Sequence, residues 1–130
     1  MSTRLKTGSI PAALRAALTT ASLARAGSLY PDGHFTPARF RPNIVLDTGT
    51  AQGFVESGWV GRTLALGSAL ELELSEPCER CAMTTLPQGE LAREPRILKT
   101  LFAHNSGHMG VYARVVQPGT LRRGDRAALL

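Results

Sequence analysis

Apolar and polar positions alternate most clearly at Leu70, Leu72 and Leu74, with Glu71, Glu73 and Ser75 between them, which predicts a half-buried strand with its acids in solvent. Pro77 is expected to end that strand. Shorter apolar runs at Asn43 to Leu46, Val111 to Val116 and Ala127 to Leu130 read as further strands, punctuated by Asp47-Thr48-Gly49-Thr50 and Pro118-Gly119, and a loop with Gly53, Gly58 and Trp59 leads to Thr63 through Leu66. Two stretches carry helical spacing. Ser9 is a suitable N-cap with Pro11 in the first turn, so the Ala- and Leu-rich run from Ala12 to Ala26 predicts a helix closed by Gly27. Glu94-Pro95 opens another, whose Ile97, Leu98, Leu101 and Phe102 share one face. Between Tyr30 and Pro42 the breakers Pro31, Gly33 and Pro37 predict a loop. Many short strands with two helices predict a mainly β fold, a barrel or strongly bent sheet with peripheral helices.

At 130 residues the chain predicts one domain, 1–130, with a single modest core. Its 43% hydrophobic and 19% charged residues have the balance of a soluble globular protein. The longest apolar stretch, Ile10 to Leu29, is interrupted by Arg15 and Arg25, too short a run for a bilayer span and unlike a secretory signal. No membrane association and a cytoplasmic address are therefore expected. The net charge of +5 is almost wholly arginine, since Lys6 and Lys99 are the only lysines, and guanidinium favours flat anions such as phosphate. Because these arginines are scattered and aromatic residues make up only 5%, a phosphorylated cofactor fits better than a nucleic acid.

The chain has two cysteines, Cys78 and Cys81, in Pro77-Cys78-Glu79-Arg80-Cys81. Their spacing leaves three readings open. A redox pair would need its first thiol at a helix N-terminus, and Ala82-Met83-Thr84-Thr85 does not read as a helix start. A structural zinc site could combine Cys78 and Cys81 with His104 and His108. Either cysteine could also be a small buried hydrophobe.

The surrounding residues add a further signal. Arg39-Phe40-Arg41-Pro42-Asn43-Ile44-Val45, Gly58-Trp59-Val60-Gly61, the Pro77 to Thr85 stretch, and Gly110-Val111-Tyr112 with Pro118-Gly119-Thr120 and Gly124-Asp125 follow one another in this order. From about Thr19 onward this succession resembles the MOSC family, the domain of molybdenum cofactor sulfurases, the mitochondrial amidoxime-reducing component and bacterial relatives. The resemblance implies a MOSC-type β-barrel that binds the molybdenum cofactor (molybdopterin). It puts Cys81 on the metal, as catalytic residue and ligand, and Arg41, Asn43 and Arg80 around the pterin and its phosphate. It leaves Cys78 a structural thiol. The residue types agree with those roles: thiolate is a soft donor for a metal that favours sulfur, and a neighbouring guanidinium favours thiolate over thiol.

The implied function is an oxidoreductase reducing N-hydroxylated or N-oxide compounds with a separate redox partner protein, or a sulfur-handling protein of cofactor chemistry. The rival expectation is a non-catalytic binding module, stabilised by zinc on Cys78, Cys81, His104 and His108. Members of the family usually begin with a strand carrying a Tyr-Pro-x-Lys-Ser type motif, which is not found here, and Lys6 is no convincing substitute. An incomplete barrel with an open edge is therefore expected, leading to self-association or to dependence on a partner segment.

Overall fold

The computed structural model describes residues 1–3, 8–9, 15–87 and 91–130. Nine strands are described: β1 (Ser2–Thr3), β2 (Gly8–Ser9), β3 (Arg15–Thr19), β4 (Ile44–Asp47), β5 (Thr63–Leu66), β6 (Leu70–Glu79), β7 (His108–Gln117), β8 (Thr120–Leu121) and β9 (Ala127–Leu129). Three α-helices, α1 (Thr20–Leu29), the single turn α2 (Pro37–Phe40) and α3 (Arg96–Asn105), lie among them, with 3-10 turns at Val55–Trp59 and Ala82–Thr85.

Seven strands form one sheet in the order β1-β4-β3-β7-β6-β5-β9, all neighbours antiparallel except β3 with β4. Alternation explains its inner face. Leu64, Leu66, Leu70, Leu72 and Leu74 point into one core with Ala17, Ile44, Leu46, Val111 and Ala113. The other face is covered too: Leu18, next to Ala17 in β3, and Met109, separated from Val111 by the irregularity in the β6–β7 ladder, pack with Phe40, Ala26 and the α3 residues Ile97 and Leu101. Trp59 packs against the barrel core.

The sheet curls until its ends meet. Ser2 bridges Arg126, Ala127 N–H donates to Met1 O at 2.8 Å, and Thr3 N–H donates to Asp125 O at 3.0 Å. The open edge expected from the sequence is thus bridged by residues 1–3, and the argument for self-association that rested on it falls away.

Besides the single turn α2, which falls within the loop expected from Tyr30 to Pro42, two expected elements differ. The helix expected over Ala12 to Ala26 has its first residues outside the described ones, and its middle is strand β3. Local propensity yields here to pairing on both sides: Ala17 and Leu18 are buried between β4 and β7, so small and apolar residues suit a central strand. The helix begins only at Thr20, after Thr19, whose Oγ1 caps it by accepting from Ser22 N–H at 3.1 Å. The second difference is at Pro77, which does not end β6. The β6–β7 ladder is irregular between Leu74 and Glu76 and again between Pro77 and Glu79, and bulges of this kind accommodate a residue without a donor. Cys78 therefore lies within the strand and Cys81 just beyond it.

Candidate functional site

The bulged end of β6 opens onto a cleft of about 320 Å³ lined by Arg41, Cys78, Arg80, Cys81 and Tyr112, with Arg39, Phe40, Ala16, Glu79 and Thr84 completing its wall. Of the residues assigned from the sequence, Arg41, Arg80 and Cys81 come together here. Cys81 is exposed at the rim, while Cys78 is buried, 2% exposed. The 3-10 turn that follows fixes the backbone at Cys81: Thr84 N–H and Oγ1 both donate to Cys81 O, at 3.1 and 2.9 Å.

Arg80 is held from several sides. Its Nε donates to Met109 O and its Nη1 to Phe40 O, each at 2.9 Å, and the guanidinium lies 5.3 Å above the Phe40 ring. Its third nitrogen, Nη2, is buried with no hydrogen-bond partner. Burial pulls the Arg80 pKa down, and the neighbouring acidic groups Cys78, Tyr112, Cys81 and Glu56 oppose that pull. Gly110, at φ +84°, makes this packing possible. A Cβ there would stand 2.7 Å from Ala17 O and 3.4 Å from Arg80 Nη2.

Arg41 caps α2 in the left-handed conformation, φ 49° and ψ 49°, and is exposed at the cleft. Asn43 is placed differently. Its backbone N–H donates to Ala16 O and its Oδ1 accepts from Ala16 N–H, both at 3.0 Å, so its side-chain oxygen ties β3 to β4 beside the cleft. The zinc set does not converge. Cys78 is buried in β6, His104 is exposed at the end of α3 and His108 opens β7. Among the described residues, no three His, Cys, Asp or Glu side chains are grouped so as to hold an ion.

Three features of the site were not assigned from the sequence. Tyr112 lines the cleft; the neighbouring Cys78 thiol and partial burial raise its pKa, against Arg80. Glu56, 1% exposed, accepts from Thr19 Oγ1 at 2.7 Å and from Ser22 Oγ at 2.5 Å at the N-terminus of α1. Its Oε1 is buried without a partner, and burial raises its pKa against those hydrogen bonds. Arg39, 1% exposed, forms an ion pair with Glu94 at 2.8 Å. Burial pushes the Glu94 carboxyl up, but hydrogen bonds from His34 and the charges of His34 and Arg39 outweigh this and hold it below the ordinary range. Tyr112 could have been found from its place in Gly110-Val111-Tyr112. A single acid in a Gly-rich loop gives no such signal.

The fit to an anionic, metal-bearing group can be judged from these atoms. One soft donor is exposed at the rim, three arginines line the same cleft, and one of them, Arg80, keeps a buried donor nitrogen unsatisfied. That set suits a phosphorylated cofactor with a thiophilic metal.

Comparison with known proteins places the chain. The family model described as the MOSC domain matches residues 11–128. The molybdenum cofactor sulfurase of Drosophila erecta is 34% identical over 87 residues, covering 65% of this chain and 10% of that protein. That of Drosophila pseudoobscura pseudoobscura is 37% identical over 79 residues, 59% of this chain and 9% of the protein. The chain thus spans about a tenth of the length of these relatives. The crystal structure of YiiM from Geobacillus stearothermophilus superposes with a TM-score of 0.65 at 18% identity, over 99% of this chain and 72% of that one, a likeness of fold. No described helix is long and apolar enough to cross a membrane. With a nearly closed barrel and a family match over almost its whole length, this chain belongs to the MOSC domain family.

Proposed function

We propose that the cleft binds the molybdenum cofactor, with the Cys81 thiolate as the protein ligand of the metal. The observation that carries this reading is the meeting of Cys81, Arg41 and Arg80 on one cleft, with the thiol exposed. Arg41 and Arg80 supply positive charge for the cofactor's phosphate. Arg80 is anchored through Nε and Nη1, so it can meet an anion without first being ordered. Asn43 holds Ala16, which forms part of the wall. Tyr112 stands as a neutral phenol beside Cys78, giving the cleft a hydroxyl group that does not compete for the metal.

When bound, such a cofactor supplies two-electron oxygen-atom chemistry, and the protein supplies orientation and charge. The reaction class we favour is reduction of N-hydroxylated or N-oxide compounds: the N–O bond breaks, the nitrogen is reduced, and water leaves after uptake of protons. A separate redox protein provides the electrons. A second reading, sulfur handling in cofactor maturation, is supported by the names of the molybdenum cofactor sulfurases that the chain resembles.

The test is to purify the chain from a host that makes molybdopterin and to measure molybdenum and oxidised pterin per chain. Near-stoichiometric amounts of both are expected. Turnover of an amidoxime with reduced methyl viologen as donor would favour the reductase reading. Absence of both metal and pterin from folded protein would reject cofactor binding.

A further inference from the structure

The cysteine-bearing loop is gripped on both sides by α2, a helix of a single turn. On the side before Cys81, Arg80 Nη1 donates to Phe40 O at 2.9 Å. On the side after it, Arg39 Nη1 donates to Thr84 O at 3.2 Å, and Thr84 in turn donates through both N–H and Oγ1 to Cys81 O. Arg39 and Phe40 are consecutive residues of α2, so the loop is pinned to one rigid point at both flanks.

Arg39 is unusual in its burial and in how fully it is satisfied. A guanidinium has five N–H donors. Here they meet His34 O at 3.1 Å, Thr84 O at 3.2 Å, Leu86 O at 3.4 Å, Ala92 O at 3.0 Å and Glu94 Oε2 at 2.8 Å. Four of these acceptors lie between Thr84 and Glu94, the stretch that follows the Cys81 turn. Glu94 is itself tied down, through Oε1 to His34 Nδ1 at 3.0 Å and through its N–H to Thr85 O at 2.8 Å. A fully buried charge is tolerated because its geometry is complete, and removing part of that geometry leaves carbonyl oxygens and a carboxylate without donors. Surface solvation or helix formation would not require an arginine buried in this way.

We propose that Arg39 is a positioning residue for Cys81: by holding Thr84, Leu86, Ala92 and Glu94 against α2 it fixes where the Cys81 sulfur stands in the cleft. The inference rests on reading Cys81 as the metal-facing thiol. Lysine at position 39 keeps the charge but cannot reach five acceptors in a fork.

The test uses Arg39→Lys in two arms. In metal-free protein, the amides of Thr84 and Glu94 should exchange with deuterium about tenfold faster than in the parent, while those of β6 and β7 within the barrel are unchanged. In the cofactor-loaded protein that keeps its molybdenum, X-ray absorption at the molybdenum edge should show one sulfur fewer around the metal than in the parent, with pterin still present because Arg41 and Arg80 are untouched. General loss of stability would lower pterin and molybdenum together and would not remove a single sulfur. Should Arg39→Lys fail to fold, Glu94→Gln, which leaves the four carbonyl contacts of Arg39 in place, takes over both arms with smaller effects in the same direction. Parental exchange at Thr84 together with an unchanged sulfur count in a folded variant would overturn the inference. If the parent binds no cofactor, the exchange arm still decides the role of Arg39 while the cofactor reading fails alone.

Discussion

The close approach at Gly110 gives the most quantitative test of the site's architecture. Replacing it with alanine has two costs and one gain. An L-residue at φ +84° pays about 1–2 kcal/mol for a left-handed backbone. The new Cβ would stand 2.7 Å from Ala17 O, and because that oxygen belongs to the backbone of β3, a strand must shift to relieve the clash. Overpacking of this kind costs about 1–3 kcal/mol. The gain, a less flexible unfolded chain, is about 0.4–1 kcal/mol. The net loss is therefore about 3 kcal/mol. With an unfolding entropy of about 2.1 cal/mol/K per residue, that lowers the melting temperature by about 10 °C for a chain of this length. Melts followed by far-ultraviolet circular dichroism, on metal-free protein, measure it. Since Arg80 Nη2 is only 3.4 Å from the same Cβ position, cofactor retention should fall as well. A Gly110→Ala melting temperature within about 2 °C of the parent would refute the packing of β3, β7 and Arg80 described above.

Three other substitutions probe neighbouring groups. Glu56 has its folded pKa raised by burial, so its contribution to stability is fully present below the ordinary carboxylate range and is lost as pH rises through the folded value. Glu56→Gln, which cannot ionise, should therefore gain in melting temperature relative to the parent from pH 5 to pH 8, and a difference independent of pH would contradict this. Thr19→Ala removes both the cap of α1 and a donor to Glu56, for a loss of about 1–2 kcal/mol in denaturant melts, largely restored by Thr19→Ser. Arg80→Lys cannot serve Met109 O and Phe40 O while keeping its place above the Phe40 ring, so pterin retained through gel filtration should drop about tenfold.

What could be read from the sequence follows the distance over which each feature is decided. The Leu70-Leu72-Leu74 alternation and the helical spacing of Ile97, Leu98, Leu101 and Phe102 are local signals, and both elements lie where periodicity puts them, although only Ile97 and Leu101 of that helix face are buried and Phe102 is exposed. The Ala12 to Ala26 stretch misleads because β3 is shaped by β4 and β7, partners more than 25 residues away in sequence. Pro77 misleads for the same reason: whether a proline ends a strand depends on where the partner's ladder is already broken. The open edge was inferred from a missing motif, whereas closure depends on a few backbone bonds from residues 1–3 to 125–127. Within the site, Arg41, Arg80 and Cys81 were legible because their motifs lie on neighbouring structural elements. Arg39 and Glu56 were not, since burial of a charge leaves no mark on spacing.

The central claim is that Cys81, and not Cys78, is the metal-facing thiol. Cys81→Ser and Cys78→Ser, purified in parallel from a molybdopterin-producing host, should part company when molybdenum per folded chain is measured. Cys81→Ser is expected to lose the metal, and Cys78→Ser to keep it while melting at a lower temperature, because its thiol is buried beside Tyr112. Equal molybdenum in Cys81→Ser and the parent would contradict the account.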